Sequence, residues 1–298
     1  MPRPQPCHSL AFRRMNMSVQ STTKVTPNTP FGVTVDIDLH DEKNDAEVAA
    51  LFKEHGFLVF REQELTQEQQ KRVMAKLGPV LEDFTTVGYV SNTRTDGILG
   101  DSEVSFHLDF LYTPIPLLGI SLHGIEVPYE ETWTRFASGR LALEALSPAT
   151  RERLRGLKGL NLFSASEEGL TGRQRIEGYP DDAPRAEHEI IHTDPITGME
   201  VLFATQQNTA LILGLNEAES EDLIAELHAH LYSDSNIYEH RWRNGDVVIW
   251  ANQAYHHARG GLVPGKTRTL QRVCITEAPA EMYRPPIPDD RLPAHMRK

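Results

Sequence analysis

One short stretch of the chain carries residue types that suit metal chemistry. In residues 104–110 apolar side chains alternate with Ser105, His107 and Asp109. A strand here would bury the apolar face and present the imidazole and the carboxylate side by side on the other. Two such groups supply adjacent ligands of a facial triad on iron(II), and a distant histidine would complete it. The alternative is a hydrogen-bonded His–Asp pair without a metal.

A second His-x-Asp occurs at His192 and Asp194. It leads directly into residues 194–198, Asp-Pro-Ile-Thr-Gly, a sequence typical of a tight turn. We therefore interpret this copy as turn chemistry.

The third ligand and an anion site are predicted near the C-terminus. An apolar run, residues 247–250, leads through a polar turn to His256 and His257, either of which could be the ligand while the other supports it. Arg268 and Arg272 follow with the same strand parity, so both can enter one cavity. A guanidinium binds a carboxylate bidentately, which predicts an anionic ligand there.

Composition limits the class of protein. The 298 residues are 39% hydrophobic and 24% charged, as in a globular protein, and no apolar run approaches the roughly 18–20 residues of a membrane span. Thirty Lys and Arg against 42 Asp and Glu give a net charge of -12, which disfavours nucleic acid and anionic membranes as partners. The two cysteines cannot form a disulfide framework, so we expect a cytoplasmic protein.

Flanking helices are predicted around a mainly β core. Helices are expected at 45–55, after a capping box at Thr66–Gln69, at 139–157 and at 217–231. The remainder consists of short β-type runs with Gly and Pro between them, which favours a β-sandwich or barrel with helices outside.

The sequence also predicts how the chain divides into a domain and two tails. Residues 1–30, without an acidic side chain, are predicted to be a mobile tail. Residues 31–280 are predicted to form one domain, and residues 281–298 a C-terminal tail.

Several motifs in order resemble one known family. The resemblance spans about residues 34–276, and the motifs that carry it are 65–70, His107 with Asp109, 144–148, 193–198, 241–243 and 246–252. In these the chain resembles the taurine dioxygenase / 2,4-dichlorophenoxyacetate dioxygenase family of Fe(II)- and 2-oxoglutarate-dependent oxygenases. The resemblance implies a distorted double-stranded β-helix, also called a jelly roll, that uses iron, 2-oxoglutarate and O2.

The resemblance also implies roles for residues. His107, Asp109 and His257 become the iron ligands and the catalytic centre. Thr134 and Arg268 fall where the family contacts 2-oxoglutarate, with Arg268 on the far carboxylate.

Arg272 matches a second family arginine, which meets the substrate's anionic group and lies close to the co-substrate. The implied reaction removes a hydrogen from a small organic molecule and releases succinate and CO2. Hydroxylation is the expected outcome, with desaturation, epoxidation or cyclisation open.

The predicted substrate contacts are Asp83, Glu103, Phe106, Trp133 and Arg272. Asp83 and Glu103 stand where the taurine enzyme places sulfonate contacts, and carboxylates repel a sulfonate. We therefore predict that taurine is not the substrate, and that a neutral or amine-bearing secondary metabolite with apolar bulk is. Arg272 keeps a carboxylate substrate open.

Two alternative functions remain at this point. A jelly-roll metal enzyme that does not use 2-oxoglutarate would leave Arg268 without a function. A non-catalytic binding protein on the same scaffold would require the three predicted ligands to be coincidental. The expected partner is a small molecule, and a homo-oligomer is left open.

Overall fold

Two facing sheets dominate the computed structural model, which describes residues 23–82, 88–164 and 168–283. The α-helices are α1 (Asp45–His55), α2 (Gln67–Ala75), α3 (Gly139–Ala145), α4 (Pro148–Leu154) and α5 (Glu217–Leu231). The strands are β1 (Lys24–Pro27), β2 (Val33–Asp36), β3 (Phe57–Phe60), β4 (Gly88–Ser91), β5 (Gly97–Leu99), β6 (Val104–His107), β7 (Gly119–Glu126), β8 (Trp133–Ser138), β9 (Lys158–Leu162), β10 (Arg185–Glu189), β11 (Ile191–Thr193), β12 (Glu200–Leu202), β13 (Thr209–Ile212), β14 (Ile237–Arg241), β15 (Val247–Ala251), β16 (Tyr255–Arg259) and β17 (Thr269–Ile275).

The larger sheet has eight strands in the order β1-β2-β3-β15-β7-β17-β4-β5. Its central strands β3 and β15 are buried along their whole length, because one face meets the second sheet and the other is covered by helices. On the covered face, Gln70 of α2 donates a hydrogen bond to the hydroxyl of Ser121 (2.8 Å). The sheet is thus fixed from both sides.

The smaller sheet has four strands in the order β14-β8-β16-β6 and is antiparallel throughout. Aromatic side chains fill the space between the two sheets. The ring centroid of Phe57 on the larger sheet lies 4.8 Å from that of Phe136 and 5.4 Å from that of Tyr255 on the smaller one. The fold is therefore the mainly β jelly roll with flanking helices that was predicted.

Three helix predictions, at 45–55, after Thr66 and at 217–231, were right, and the one over 139–157 was wrong. Helix α2 begins at the predicted capping box, where Thr66 and Gln69 bond each other's backbone N–H, and α5 covers the predicted residues 217–231. The single helix predicted over 139–157 is in fact α3 and α4. The break occurs because Ser147 adopts an extended conformation to cap α4, with Pro148 in its first turn.

The predicted segment limits remain predictions. Strand β1 lies within the predicted N-terminal tail and pairs with β2, whereas residues 1–22 and 284–298 lie outside the described residues. In the part of the chain that the structure describes, no helix is long and apolar enough to cross a membrane.

Candidate metal centre and co-substrate pocket

The smaller sheet brings two histidines face to face. His107 ends β6 and is the direct cross-strand partner of His257 on β16, with ring centroids 4.1 Å apart. Asp109 follows in the turn after β6. Its Oδ1 lies 3.2 Å from Nε2 of His107 and 3.6 Å from Nε2 of His257. One donor atom from each residue lies within 4.8 Å of the others.

Asn252 fixes the backbone of Asp109. Its side-chain oxygen accepts from the Asp109 N–H (3.0 Å), and its amide donates to the carbonyls of Asp109 and Leu117 (both 3.1 Å). Asn252 itself directly follows β15. A residue at the end of the larger sheet therefore sets the position of Asp109, which follows β6 of the smaller sheet.

The charges at this centre suit a cation. Burial alone would raise the pKa of Asp109, but Arg272, which donates to its Oδ2, and the two histidines lower it well below its ordinary value. Burial and the neighbouring His107 hold the pKa of His257 well below its ordinary value. The carboxylate is therefore ionised and His257 is neutral, and these are the forms that bind metals.

Hydrogen bonding sets the tautomer of His107. Its Nδ1 lies 2.8 Å from the carbonyl oxygen of Ser105, which only accepts, so Nδ1 carries the proton. In the neutral ring the lone pair is then on Nε2, 3.2 Å from Oδ1 of Asp109. On His257, Nδ1 is buried without a hydrogen-bond partner among the described residues. Two imidazole nitrogens and one carboxylate oxygen fit Fe(II) with positions left open.

A second group of buried polar side chains, here called the arginine pocket, lies along the inner face of β8. Arg268, directly before β17, is buried and donates from Nη1 to the hydroxyl of Thr132 (2.9 Å). Its Nε and Nη2 have no partner among the described residues. Burial lowers the pKa of Arg268 to about 10, so it stays charged at neutral pH. Thr134, on the same face, accepts from the indole N–H of Trp242 (2.9 Å).

Arg259 also enters this pocket and was missed by the sequence analysis. It is the direct cross-strand partner of Thr134 and is only 7% exposed. Its Nη2 donates to the carbonyl of Gly100 (2.6 Å), while Nε and Nη1 are buried without a partner among the described residues. Burial, together with the charge of Arg268, lowers its pKa well below the ordinary value. The available signal was strand parity, because Arg259 shares a face with His257.

The predicted substrate residues do not all reach the triad. The ring of Phe106 stacks on that of Tyr232 (centroids 4.4 Å apart, planes 15° apart). Glu103 is exposed, and Asp83 lies outside the described residues.

Trp133 lies on the opposite face of β8 from Thr134. There its ring contacts the exposed Arg135, whose guanidinium carbon is 4.4 Å from the ring centroid, and packs against Gly260. The described contacts of Trp133 are thus on the outer face of the sheet.

His256, whose role the sequence left open, and His192 of the second His-x-Asp both have supporting positions. His256 is fully buried, donates from Nε2 to the carbonyl of Leu202 (3.1 Å) and accepts at Nδ1 from the hydroxyl of Tyr232 (3.0 Å). His192 bonds the side chain of Gln253. The neighbouring Asp194 accepts from the N–H and hydroxyl of Thr197 (both 2.7 Å), as the turn interpretation predicted.

The fold and the site together define a class, a jelly roll presenting two histidines and a carboxylate beside buried arginines. The chain belongs to the taurine catabolism dioxygenase TauD, TfdA family, because the family model matches residues 21–274. It is accordingly an Fe(II)/2-oxoglutarate-dependent oxidoreductase.

Curated proteins and solved structures are similar to the chain over most of its length. The chain is 28% identical to an (S)-phenoxypropionate/alpha-ketoglutarate-dioxygenase of Sphingobium herbicidovorans over 73% of this chain and 80% of the relative. It is 30% identical to pentalenolactone F synthase of Streptomyces arenae over 65% of this chain and 71% of the relative. Among solved structures, AAD-2 in complex with Mn(II) and N-oxalylglycine has a TM-score of 0.74 and 22% identity, covering 87% of this chain and 99% of that one.

Proposed function

We propose that His107, Asp109 and His257 hold Fe(II), and that Arg268 receives the far carboxylate of 2-oxoglutarate. The observation that carries this is the convergence of three donor atoms within 4.8 Å, in a fold that also buries an arginine with two unpartnered nitrogens. The family membership supports it. Both alternatives from the sequence leave those buried nitrogens unexplained.

Bound iron and 2-oxoglutarate would supply the oxygen chemistry, releasing succinate and CO2. The protein's own residues prepare the site for them. Ser105 fixes the proton of His107, Asn252 fixes the backbone of Asp109, and Arg272 keeps that carboxylate ionised. These contacts set the position and charge of Asp109 before the ligands bind, which is the benefit of a preorganised site.

Residues around the pair of pockets restrict water and orient the co-substrate. The rings of Trp250 and Phe136 lie 5.1 and 6.3 Å from that of His257 and shield it. Thr132 orients Arg268, while Thr134 remains the proposed second contact to 2-oxoglutarate.

We further propose that the substrate is a neutral or amine-bearing small molecule with apolar bulk and that it is hydroxylated. Arg272 supports this, because Asp109 already balances its charge. The second candidate is an aryloxy carboxylate, favoured by relatives named for phenoxypropionate and 2,4-dichlorophenoxyacetate. Cytoplasmic location and oligomeric state stay predictions.

The test is an anaerobic titration with Fe(II) and then 2-oxoglutarate. We expect wild type to develop the weak visible band of an iron-bound 2-oxo acid, and His257→Ala to lose it. His192→Ala is the matched control and should retain the band, because its imidazole bonds Gln253 instead. Iron binding without a band in wild type would contradict the use of 2-oxoglutarate.

A substrate panel then separates the two candidates. Release of labelled CO2 from 2-oxoglutarate should be stimulated by neutral or amine-bearing compounds. Stimulation only by aryloxyacetates or small sulfonates would contradict our first choice.

A further inference from the structure

The proposed contacts to Fe(II) and 2-oxoglutarate leave Arg259 without a function. It lies on the inner face of β16, two residues beyond His257, and is more than nine-tenths buried. One of its nitrogens bonds the carbonyl of Gly100, and the other two have no partner among the described residues. No carboxylate in the described part of the chain forms an ion pair with it, and the acidic residue that influences it, Asp101, is exposed.

A buried guanidinium with unpaired N–H groups is costly to fold. Each unpaired polar group forfeits its hydration, and a second buried cation nearby adds repulsion. This pocket contains both features, because Arg268 has two unpaired nitrogens of its own. Such an arrangement is stable once an anion accepts from both groups.

The register places the two guanidinium groups against one strip of β8. Arg259 pairs across the strand with Thr134, and Arg268 donates to Thr132, two residues earlier on the same face. Directly opposed residues in an antiparallel pair have Cβ atoms about 5 Å apart. A carboxylate offers about four lone-pair directions, enough for two guanidinium groups.

We propose that Arg259 is a second guanidinium contact to the far carboxylate of 2-oxoglutarate, beside Arg268. This rests on the proposed function. The pair would select 2-oxo acids that carry a second carboxylate, since a monocarboxylic 2-oxo acid leaves both cations buried and unpaired.

The experiment measures binding, not turnover. Calorimetry on the anaerobic Fe(II) protein compares 2-oxoglutarate with 2-oxopentanoate, which has the same 2-oxo acid end but lacks the far carboxylate. We expect Arg259→Met to weaken 2-oxoglutarate binding by about 10- to 100-fold, the range for a hydrogen bond to a charged group. Its affinity for 2-oxopentanoate should be unchanged.

Two further variants test whether the effect is specific to the guanidinium group of Arg259. Arg259→Lys keeps the charge but not the fork, so it should recover part of the 2-oxoglutarate affinity. Arg135→Met is the matched control on neighbouring β8, where the guanidinium is exposed and ion-paired with Glu239 (2.8 Å). It should bind both 2-oxo acids as wild type does.

The outcomes separate this inference from the proposed function. Wild-type affinity of Arg259→Met for 2-oxoglutarate would overturn the inference alone, as would equal loss of both 2-oxo acids, which would make Arg259 only a clamp on Gly100. If Arg259→Met does not fold, Arg259→Lys decides: a selective loss of 2-oxoglutarate supports the contact, and an unchanged or unselective result overturns it. Failure of wild type to bind either compound would overturn the proposed function itself.

Discussion

The metal centre and the arginine pocket both bury charge, but only the metal centre balances it. At the triad, Asp109 is met by Arg272 and two histidines. In the pocket, Arg259 and Arg268 retain four buried nitrogens without partners in the described chain. The first region can therefore form before any ligand arrives, whereas the second is complete only with an anion.

This difference predicts opposite signs for two mutations. Removing a charge from a balanced cluster leaves its partner buried and destabilises the fold. Removing one from an unbalanced cluster relieves a desolvation cost. Stability of the ligand-free protein thus distinguishes the two regions.

The largest effect is expected for Asp109→Ala. The variant loses one metal donor and the anion that Arg272 contacts, so Fe(II) affinity should fall at least about 100-fold and the free energy of unfolding by about 3 kcal/mol. Iron titration and denaturant unfolding measure the two losses. The control Asp96→Ala breaks an exposed pair with Arg94 and should change neither. Undiminished stability in Asp109→Ala would contradict a balanced centre.

A smaller effect of opposite sign is expected for Arg268→Met. Without ligands its free energy of unfolding should equal or exceed the wild-type value by up to about 1 kcal/mol, because two unpaired nitrogens leave the interior. The thermal stabilisation that 2-oxoglutarate gives wild type should disappear. Thermal unfolding with and without the co-substrate measures both. A loss of ligand-free stability as large as that of Asp109→Ala would remove the contrast between the regions.

A third prediction, for stability alone, concerns Asp246, a balanced carboxylate outside the triad. It accepts from Arg61 (2.5 Å) and lies 3.1 Å from Nε2 of His240. Burial opposes these contacts, but His240 and Arg61 lower its pKa below the ordinary value of 3.8. Its stabilisation is complete above that value and is lost as pH falls through the lower folded pKa.

Asp246→Asn should therefore unfold more easily at pH 7, by about 2 kcal/mol. Its melting temperature should also decline less steeply than that of wild type below about pH 4. Thermal unfolding across pH 7 to 3 is the measurement. Parallel curves for the two proteins would show that Asp246 is not a stabilising charge.

Local sequence patterns correctly predicted the helices and strand faces that depend only on neighbouring residues. The capping box at Thr66 and the apolar spacing of α5 were sufficient because each interaction closes within a few positions. The alternation in β6 likewise separated His107 from its apolar neighbours. Family resemblance supplied the jelly roll, which these local signals had narrowed only to a sandwich or barrel.

Predictions that depended on pairing between distant strands were less complete. Strand parity places Arg259 on the face of His257, but its position opposite Thr134 comes from the register of β16 against β8, which no local pattern encodes. Trp133 and Thr134 were assigned to one site, although consecutive strand residues face opposite sides. The turn after β6 depends on Asn252, which is 143 positions away.

The position of β7 has a consequence for the order in which the chain can fold during synthesis. Both of its partners in the larger sheet, β15 and β17, come from the last quarter of the sequence. Until they leave the ribosome, β7 has two open edges that can join the strands of another nascent chain. We therefore expect ribosome-bound chains that stop before β15 to need a chaperone, and the enzyme to become protease-resistant only after β17 has emerged.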